Sequence, residues 1–212
     1  MLKKKLLIFG ISQMGEIAEY YFNKHSDYEV SGFIADEEYI KQDTFQNKPI
    51  YSTENIVNND FQNDFDIFVA IGYSELNKNR EDKYKYFKNK GFNFASYISE
   101  NANVLTDKIG ENCLILEDNT IQPFSEIGNN CILWSGNHIG HHSKIQNNCF
   151  ISSHVVISGN CHIGDKSFIG INSSIADGVS IGNSCFIGLG VSITKNLEDY
   201  SKVTVKNNQE FL

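Results

Sequence analysis

The 212-residue chain is poor in positive charge: 18 lysines and arginines stand against 26 aspartates and glutamates, a formal net charge of −8. Neutralising a phosphate backbone takes a basic face, so no nucleic-acid partner is expected. Long apolar runs are missing too. After Met1-Leu2-Lys3-Lys4-Lys5 only Leu6 to Gly10 are apolar or small, too short for a signal peptide's apolar stretch or a membrane span. A cytoplasmic protein with no membrane partner is the expectation. A chain this long buries a core without disulfide or metal staples, which excludes the small disulfide scaffolds. With 41% hydrophobic and 21% charged residues it is too apolar and too weakly charged to stay disordered.

What is present is a repeat. From Ile109 every sixth residue through Ile193 is isoleucine, except Leu133, which makes fifteen consecutive positions. Asn103 upstream and Asp199 downstream break the phase. An amphipathic helix drifts out of register with a period of six and a coiled coil needs seven, whereas a parallel β-helix spends six residues on one short strand and one corner. Three such units close one coil. Fifteen units therefore predict about five coils, roughly 24 Å tall, with residues 18 apart stacked.

The stacking can be read in the side chains. Four residues after each aliphatic from Ile109 to Ile187 nothing exceeds Val or Asn in size, and all five cysteines (Cys113, Cys131, Cys149, Cys161, Cys185) fall there. This is the crowded inward position, where cysteine serves as a small buried hydrophobe. Leu114, Ile132, Phe150, Phe168 and Phe186 form a second ladder at 18. Gly110, Gly128, Gly140, Gly164, Gly170, Gly182 and Gly188, each just after the aliphatic, predict corners where a side chain obstructs or φ turns positive.

Residues 1–99 differ in texture, carrying nine of the ten tyrosines and 12 of the 18 basic residues, and are read as a separate domain from 100–212. Strands are predicted at Lys5–Gly10, Glu29–Ala35, Lys48–Tyr51, Asp66–Ile71 and Phe92–Ile98, with helices over 15–23, 53–58 and 75–90. That is a small α/β unit with a mostly parallel sheet. Its first turn, Gly10-Ile11-Ser12-Gln13-Met14-Gly15, sits where phosphates meet a helix N-terminus, but it lacks the middle glycine of the dinucleotide fingerprint and also reads as a plain turn. Asp36 closes the second strand, where it can hold a sugar hydroxyl or be a loop aspartate.

Chemistry is expected on the repeat, where five of six histidines lie: His138, His141, His142, His154 and His162. They fall on outward phases. A metal set is not expected, because His141 and His142 point to different sides and no carboxylate or thiolate completes the group. His141 is the candidate general base, since one coil above it stands Gly159, whose bare N–H can approach a carbonyl oxygen. A base and an oxyanion donor about 5 Å apart suit acyl transfer.

Leu7-Ile8-Phe9-Gly10 with its turn to Gly15, Gly32-Phe33-Ile34-Ala35-Asp36, Asn137-His138-Ile139-Gly140-His141-His142-Ser143, Ser153-His154-Val155-Val156-Ile157-Ser158-Gly159 and Phe168-Ile169-Gly170-Ile171-Asn172 carry a resemblance. Over essentially its whole length the chain resembles the bacterial left-handed β-helix sugar acyltransferases, related to sialic acid O-acetyltransferases and to N-acetyltransferases of nucleotide-linked amino sugars. The resemblance implies a Rossmann-like nucleotide-sugar domain followed by a left-handed β-helix. It further implies a homotrimer with active sites between adjacent prisms, and acetyl-CoA as co-substrate. By the same likeness His141 and His142 are catalytic, with Gly159's amide on the acetyl oxygen. Gly10, Ile11, Ser12, Gln13, Gly15, Asp36 and Gly72 would meet the nucleotide-sugar. Gly159, Gly170, Ile171, Gly188, Leu189 and Lys195 would lie along CoA. Past Ile193 the segment Lys202 to Lys206 reads as a solvated tail or a strand capping the last coil, and Lys195, Lys202 and Lys206 can also face CoA phosphates. Two departures stand out: His142 occupies the place where relatives often carry glutamate, and Ser12-Gln13-Met14 replaces the usual glycine-rich turn. The expected activity is N-acetylation of a nucleotide-linked amino-deoxy sugar for a bacterial surface glycan, with sugar O-acetylation as the alternative. A zinc-binding β-helix using His138, His141 and His154 is the non-enzymatic rival.

Overall fold

Leu6 to Phe9 is apolar at every position, the mark of a strand covered on both faces. In the computed structural model, which describes residues 3–205, it lies within β1 (Lys4–Phe9). There follow α1 (Gln13–His25), β2 (Tyr28–Ala35), β3 (Thr44–Phe45), β4 (Lys48–Ser52), α2 (Thr53–Asn58), β5 (Asp66–Val69) and α3 (Lys78–Asn89). The sheet runs β3-β4-β2-β1-β5, parallel except for the β3–β4 hairpin. Two expectations need correction. α3 begins at Lys78 rather than at 75, because Glu75, Leu76 and Asn77 all take left-handed φ values (49°, 51° and 65°) that a right-handed helix cannot continue. The strand expected over 92–98 shrinks to a bridge at Phe94 and the pair Tyr97–Ile98, and that pair joins Leu114–Ile115 of the repeat, not the α/β sheet.

From Tyr97 the chain winds as a left-handed β-helix of three faces. The first face carries seven two-residue strands, from Tyr97–Ile98 to Lys202–Val203. The second carries six, from Asn103–Val104 to Ser192–Ile193, and the third four, from Glu126–Ile127 to Ser180–Ile181, with bridges at Ile109 and Leu197. The prism therefore exceeds five coils. Its outer rungs keep the pairing while losing the count: Val104 pairs with Ile121, Leu197 with Ile181 and Val203 with Ile187, so the repeat outlasts the phase breaks at Asn103 and Asp199.

The isoleucine column and the small-residue column fill the prism interior, and the five cysteines are buried thiols within it. The glycine phase behaves differently from one of its two readings. An ideal Cβ on Gly140 would lie 2.5 Å from Gly159 N, and one on Gly164 2.5 Å from Gly182 C, so these corners are short of space and none of them has positive φ. Left-handed φ falls two residues later, at every sixth residue from Asn112 to Gly190. Asparagine and glycine recur at this position because they enter that region at least cost.

The Leu114–Phe186 ladder faces outward on the first face, where the α/β domain covers it. Leu114, Ile132, Phe150 and Phe168 share one buried cluster with Ala18, Phe22, Phe68 and Ala70. The rings stack along the ladder, with centroids 5.7 Å apart for Phe150–Phe168 and 5.0 Å for Phe168–Phe186. Arg80 of α3, the chain's one arginine, is fully buried in this seam. Its guanidinium donates to the carbonyls of Asn130, Asn148 and Cys149 in the β-helix, and to Gly72 O and Asn77 Oδ1 in its own domain. Val69 N donates to Asn112 Oδ1, and Tyr21 Oη to Glu117 Oε2 at 2.8 Å. The domain is thus fixed to one face, leaving the opposite edge of the prism open.

Candidate active site

In a parallel α/β sheet ligands sit beyond the carboxyl ends of the strands. There, beyond β1, β2 and β5, lies a cleft of about 620 Å³ lined by Gly10, Ile11, Ser12, Asp36, Gly72 and Lys83 among others. Gly10 has φ +125°, and a Cβ on it would lie 2.7 Å from Ala70 O, so the turn demands glycine. Gly15 is structural: its Cβ position lies 2.0 Å from Gly10 O, which lets α1 start against the turn. Neither Gly15 nor Gln13 lines the cleft. Gln13 faces a separate hollow with Tyr20, Tyr21 and Trp134. Asp36 Oδ1 accepts from Lys83 Nζ at 2.6 Å and from Thr53 Oγ1 at 2.8 Å. Sequence reading missed Lys83, since no spacing rule ties α3 to the end of β2.

His141 stands at the corner between the second and third faces, the edge of the prism opposite the docked domain. Its position on a corner phase leaves the ring exposed, and its backbone N–H donates to Gln122 Oε1 at 2.9 Å. One edge of the imidazole lies against Gly159 of the next coil. An ideal Cβ there would meet Cε1 at 2.7 Å, Nε2 at 2.8 Å and Asp177 Oδ1 at 2.9 Å. Among the described residues Gly159 N–H has no acceptor. The other edge meets His142, with Nδ1 to Nδ1 at 3.1 Å. The two rings therefore do not point to different sides, as expected from their phases. The left-handed φ of 60° at His142 folds the corner so that both rings share it. His142 in turn packs on Phe124 at 4.8 Å. Asp177 was missed, although the step of 18 that leads from His141 to Gly159 reaches it next.

The residues assigned to CoA divide between two corners. Lys195 continues the His141–Gly159–Asp177 column and is exposed. Ile171 and Leu189 are exposed one above the other on the corner between the first and second faces, beside the buried Gly170 and Gly188. A full face of the prism separates them from His141 of the same chain. Lys202 Nζ lies over the Phe186 ring at 5.7 Å, and Lys206 falls outside the described residues. His138 is half-buried, while His25, His154 and His162 are exposed. Among the described residues no three histidine, cysteine or carboxylate side chains converge as a metal set, and no helix is long and apolar enough to cross a membrane.

The family described as bacterial transferase hexapeptide (six repeats) matches residues 108–140, 125–159 and 160–195. Curated protein sequences give no significant match. Solved structures do. The acetyltransferase domain of PglB from Neisseria gonorrhoeae FA1090 superposes with TM-score 0.79 at 21% identity, over 92% of this chain and 93% of that one. PerB from Caulobacter crescentus, in complex with CoA and GDP-perosamine, gives 0.81 at 19% over 93% and 92%. WeeI from Acinetobacter baumannii AYE gives 0.77 at 20% over 96% and 97%. At these identities the likeness speaks for a shared fold, α/β domain and β-helix together. The β-helix from residue 108 to 195 thus matches the bacterial transferase hexapeptide repeat, and the whole chain shares the two-part fold of these solved structures.

Proposed function

We propose that the protein is an acetyl-CoA-dependent N-acetyltransferase acting on a nucleotide-linked amino-deoxy sugar. The observation that carries this reading is His141 Nε2 lying against Gly159, whose N–H is unengaged. An acetyl carbonyl with its oxygen on that N–H sits beside an imidazole able to take a proton from an attacking amine. The amine nitrogen bonds to the carbonyl carbon as its proton passes to His141. The C–S bond then breaks and the proton leaves on the CoA thiol. The five cysteines are buried inside the prism, so the chain offers no exposed thiol for a covalent acyl intermediate.

The nucleotide moiety is assigned to the cleft of the α/β domain, with the Asp36–Lys83 pair at its rim. PerB, which shares the fold, has been crystallised with CoA and GDP-perosamine. No β-helix residue lines this cleft, and His141 is on the edge of the prism away from the domain. One chain therefore does not close the site. A second copy that brings its cleft and its Ile171–Leu189 edge toward His141 completes it, and a homotrimer of parallel prisms does so three times. The reaction suits a cytoplasmic step in surface-glycan synthesis.

The test is thiol release from acetyl-CoA with nucleotide-linked amino sugars beside the matching hydroxy sugars and sialic acid. Turnover with the amino sugars is expected. Turnover confined to hydroxyl acceptors would replace the reading with O-acetylation.

A further inference from the structure

Outside the cleft, the least ordinary chemistry on the surface is the contact between His141 Nδ1 and His142 Nδ1 at 3.1 Å. Two ring nitrogens at this distance are bonded only if one carries hydrogen and the other does not. With Nε2 of His141 turned to Gly159, a base at that atom needs its hydrogen on Nδ1. His142 Nδ1 must then be the bare acceptor, with hydrogen on Nε2. We propose that His142 is a positioning residue that accepts from His141 Nδ1–H, holding His141 in the tautomer whose Nε2 lone pair faces the acetyl site.

Three further observations bear on this. The side chain of a free histidine prefers hydrogen on Nε2, so the opposite tautomer at His141 needs a partner, and His142 is the group within hydrogen-bond distance of its Nδ1. Asp177, the carboxylate two coils above and directly over Gly159, lies toward the Nε2 side and makes no hydrogen bond to either ring. His142 is itself steadied: its φ of 60° sets the ring into the corner, and the Phe124 ring covers it at 4.8 Å, with the planes 34° apart. Phe124 occupies the same corner phase one coil below, with φ 66° and its ring 68% exposed. A bulky aromatic held in the left-handed region at the surface is an outlier, and here its visible contact is the His142 ring.

This inference rests on His141 being the base, so its test includes a readout that needs no substrate. Ring-nitrogen NMR on histidine-labelled protein reports which nitrogen of His141 bears hydrogen. The variants are His142→Phe, which removes the acceptor and which the φ of Phe124 shows the corner accommodates, and His142→Asn, whose Oδ1 can accept and whose residue type favours this φ. In the unmodified protein His141 is expected as Nδ1–H and His142 as Nε2–H. In His142→Phe the His141 hydrogen moves to Nε2 and kcat falls at least about tenfold with little change in KM, and His142→Asn restores both signatures. A His142→Phe protein that keeps either Nδ1–H at His141 or full kcat overturns the proposal. If no acceptor is acetylated by the unmodified protein, the functional reading fails, while the tautomer result still decides the pair.

Discussion

The imidazole of His141 lies so close beneath Gly159 that a single methyl at 159 would come within 2.8 Å of Nε2. Gly159 has no positive φ, so alanine meets no backbone obstacle and the clash falls on the histidine ring and Asp177. Gly159→Ala is expected to fold normally, to displace His141 and to lower kcat/KM for acetyl transfer at least about tenfold, or about 1.4 kcal/mol. Steady-state kinetics beside a thermal melt checks both halves.

His141 and Asp36 occupy opposite sides of one chain, and the proposed site needs both. His141→Ala and Asp36→Ala are each expected to be weakly active alone, the second through a raised KM for the nucleotide-sugar. Co-expressed, they should form mixed oligomers in which some sites draw an intact His141 from one copy and an intact Asp36 from another. Recovery of activity on co-expression, absent on simple mixing of stable homo-oligomers, is the expected result. An activity equal to the sum of the two parents would place the site within one chain.

The seam between the domains rests on a buried cation without a carboxylate. Burial lowers the Arg80 guanidinium to about 10, and backbone carbonyls hold it in place of a counter-ion. Arg80→Leu strands those acceptors without donors, with an expected loss of about 3 kcal/mol in denaturant unfolding. Lysine has a single nitrogen and cannot serve carbonyls from both domains as the guanidinium fork does, so Arg80→Lys should recover only part of it.

A second tie across the seam carries its own pH window. Burial, then the bond to Glu117, pushes the Tyr21 phenol up to about 12. At Glu117 burial pulls upward, but hydrogen bonds from Ser135 and Tyr21 outweigh it and the carboxyl sits below its ordinary value. A raised phenol stabilises the fold below its ordinary 10.0 and loses that contribution as pH climbs toward 12. A depressed carboxylate stabilises above 4.5 and loses it as pH falls further. Tyr21→Phe should therefore lower the free energy of unfolding between about pH 5 and 10, by no more than about 1 kcal/mol after solvent screening, and converge with the parent outside that window, as denaturant unfolding across pH would show.

The β-helix was legible because its order is periodic. One phase names the core, 18 residues name the stacking partner, and that arithmetic leads from His141 to Gly159. It fails where periodicity fails: Val104, Leu197 and Val203 keep their rungs at the wrong count, and only backbone pairing reveals them. The His141–His142 contact was misread because side-chain direction was inferred from phase, whereas the corner's positive φ sets it. In the α/β domain strand patterns gave the sheet, but Lys83 and Arg80 reach their partners through tertiary packing of α3. Asp177 was within reach, one further step up the column.

The central claim is that His141 takes the proton in acetyl transfer to a nucleotide-linked amino sugar. The direct measurement is thiol release from acetyl-CoA with dTDP-, UDP- and GDP-linked amino-deoxy sugars, for the unmodified protein and His141→Asn. The unmodified protein should turn over at least one amino sugar, and His141→Asn should lose at least about a hundredfold in kcat while its melting temperature holds. A His141→Asn protein retaining most of its turnover would contradict the claim.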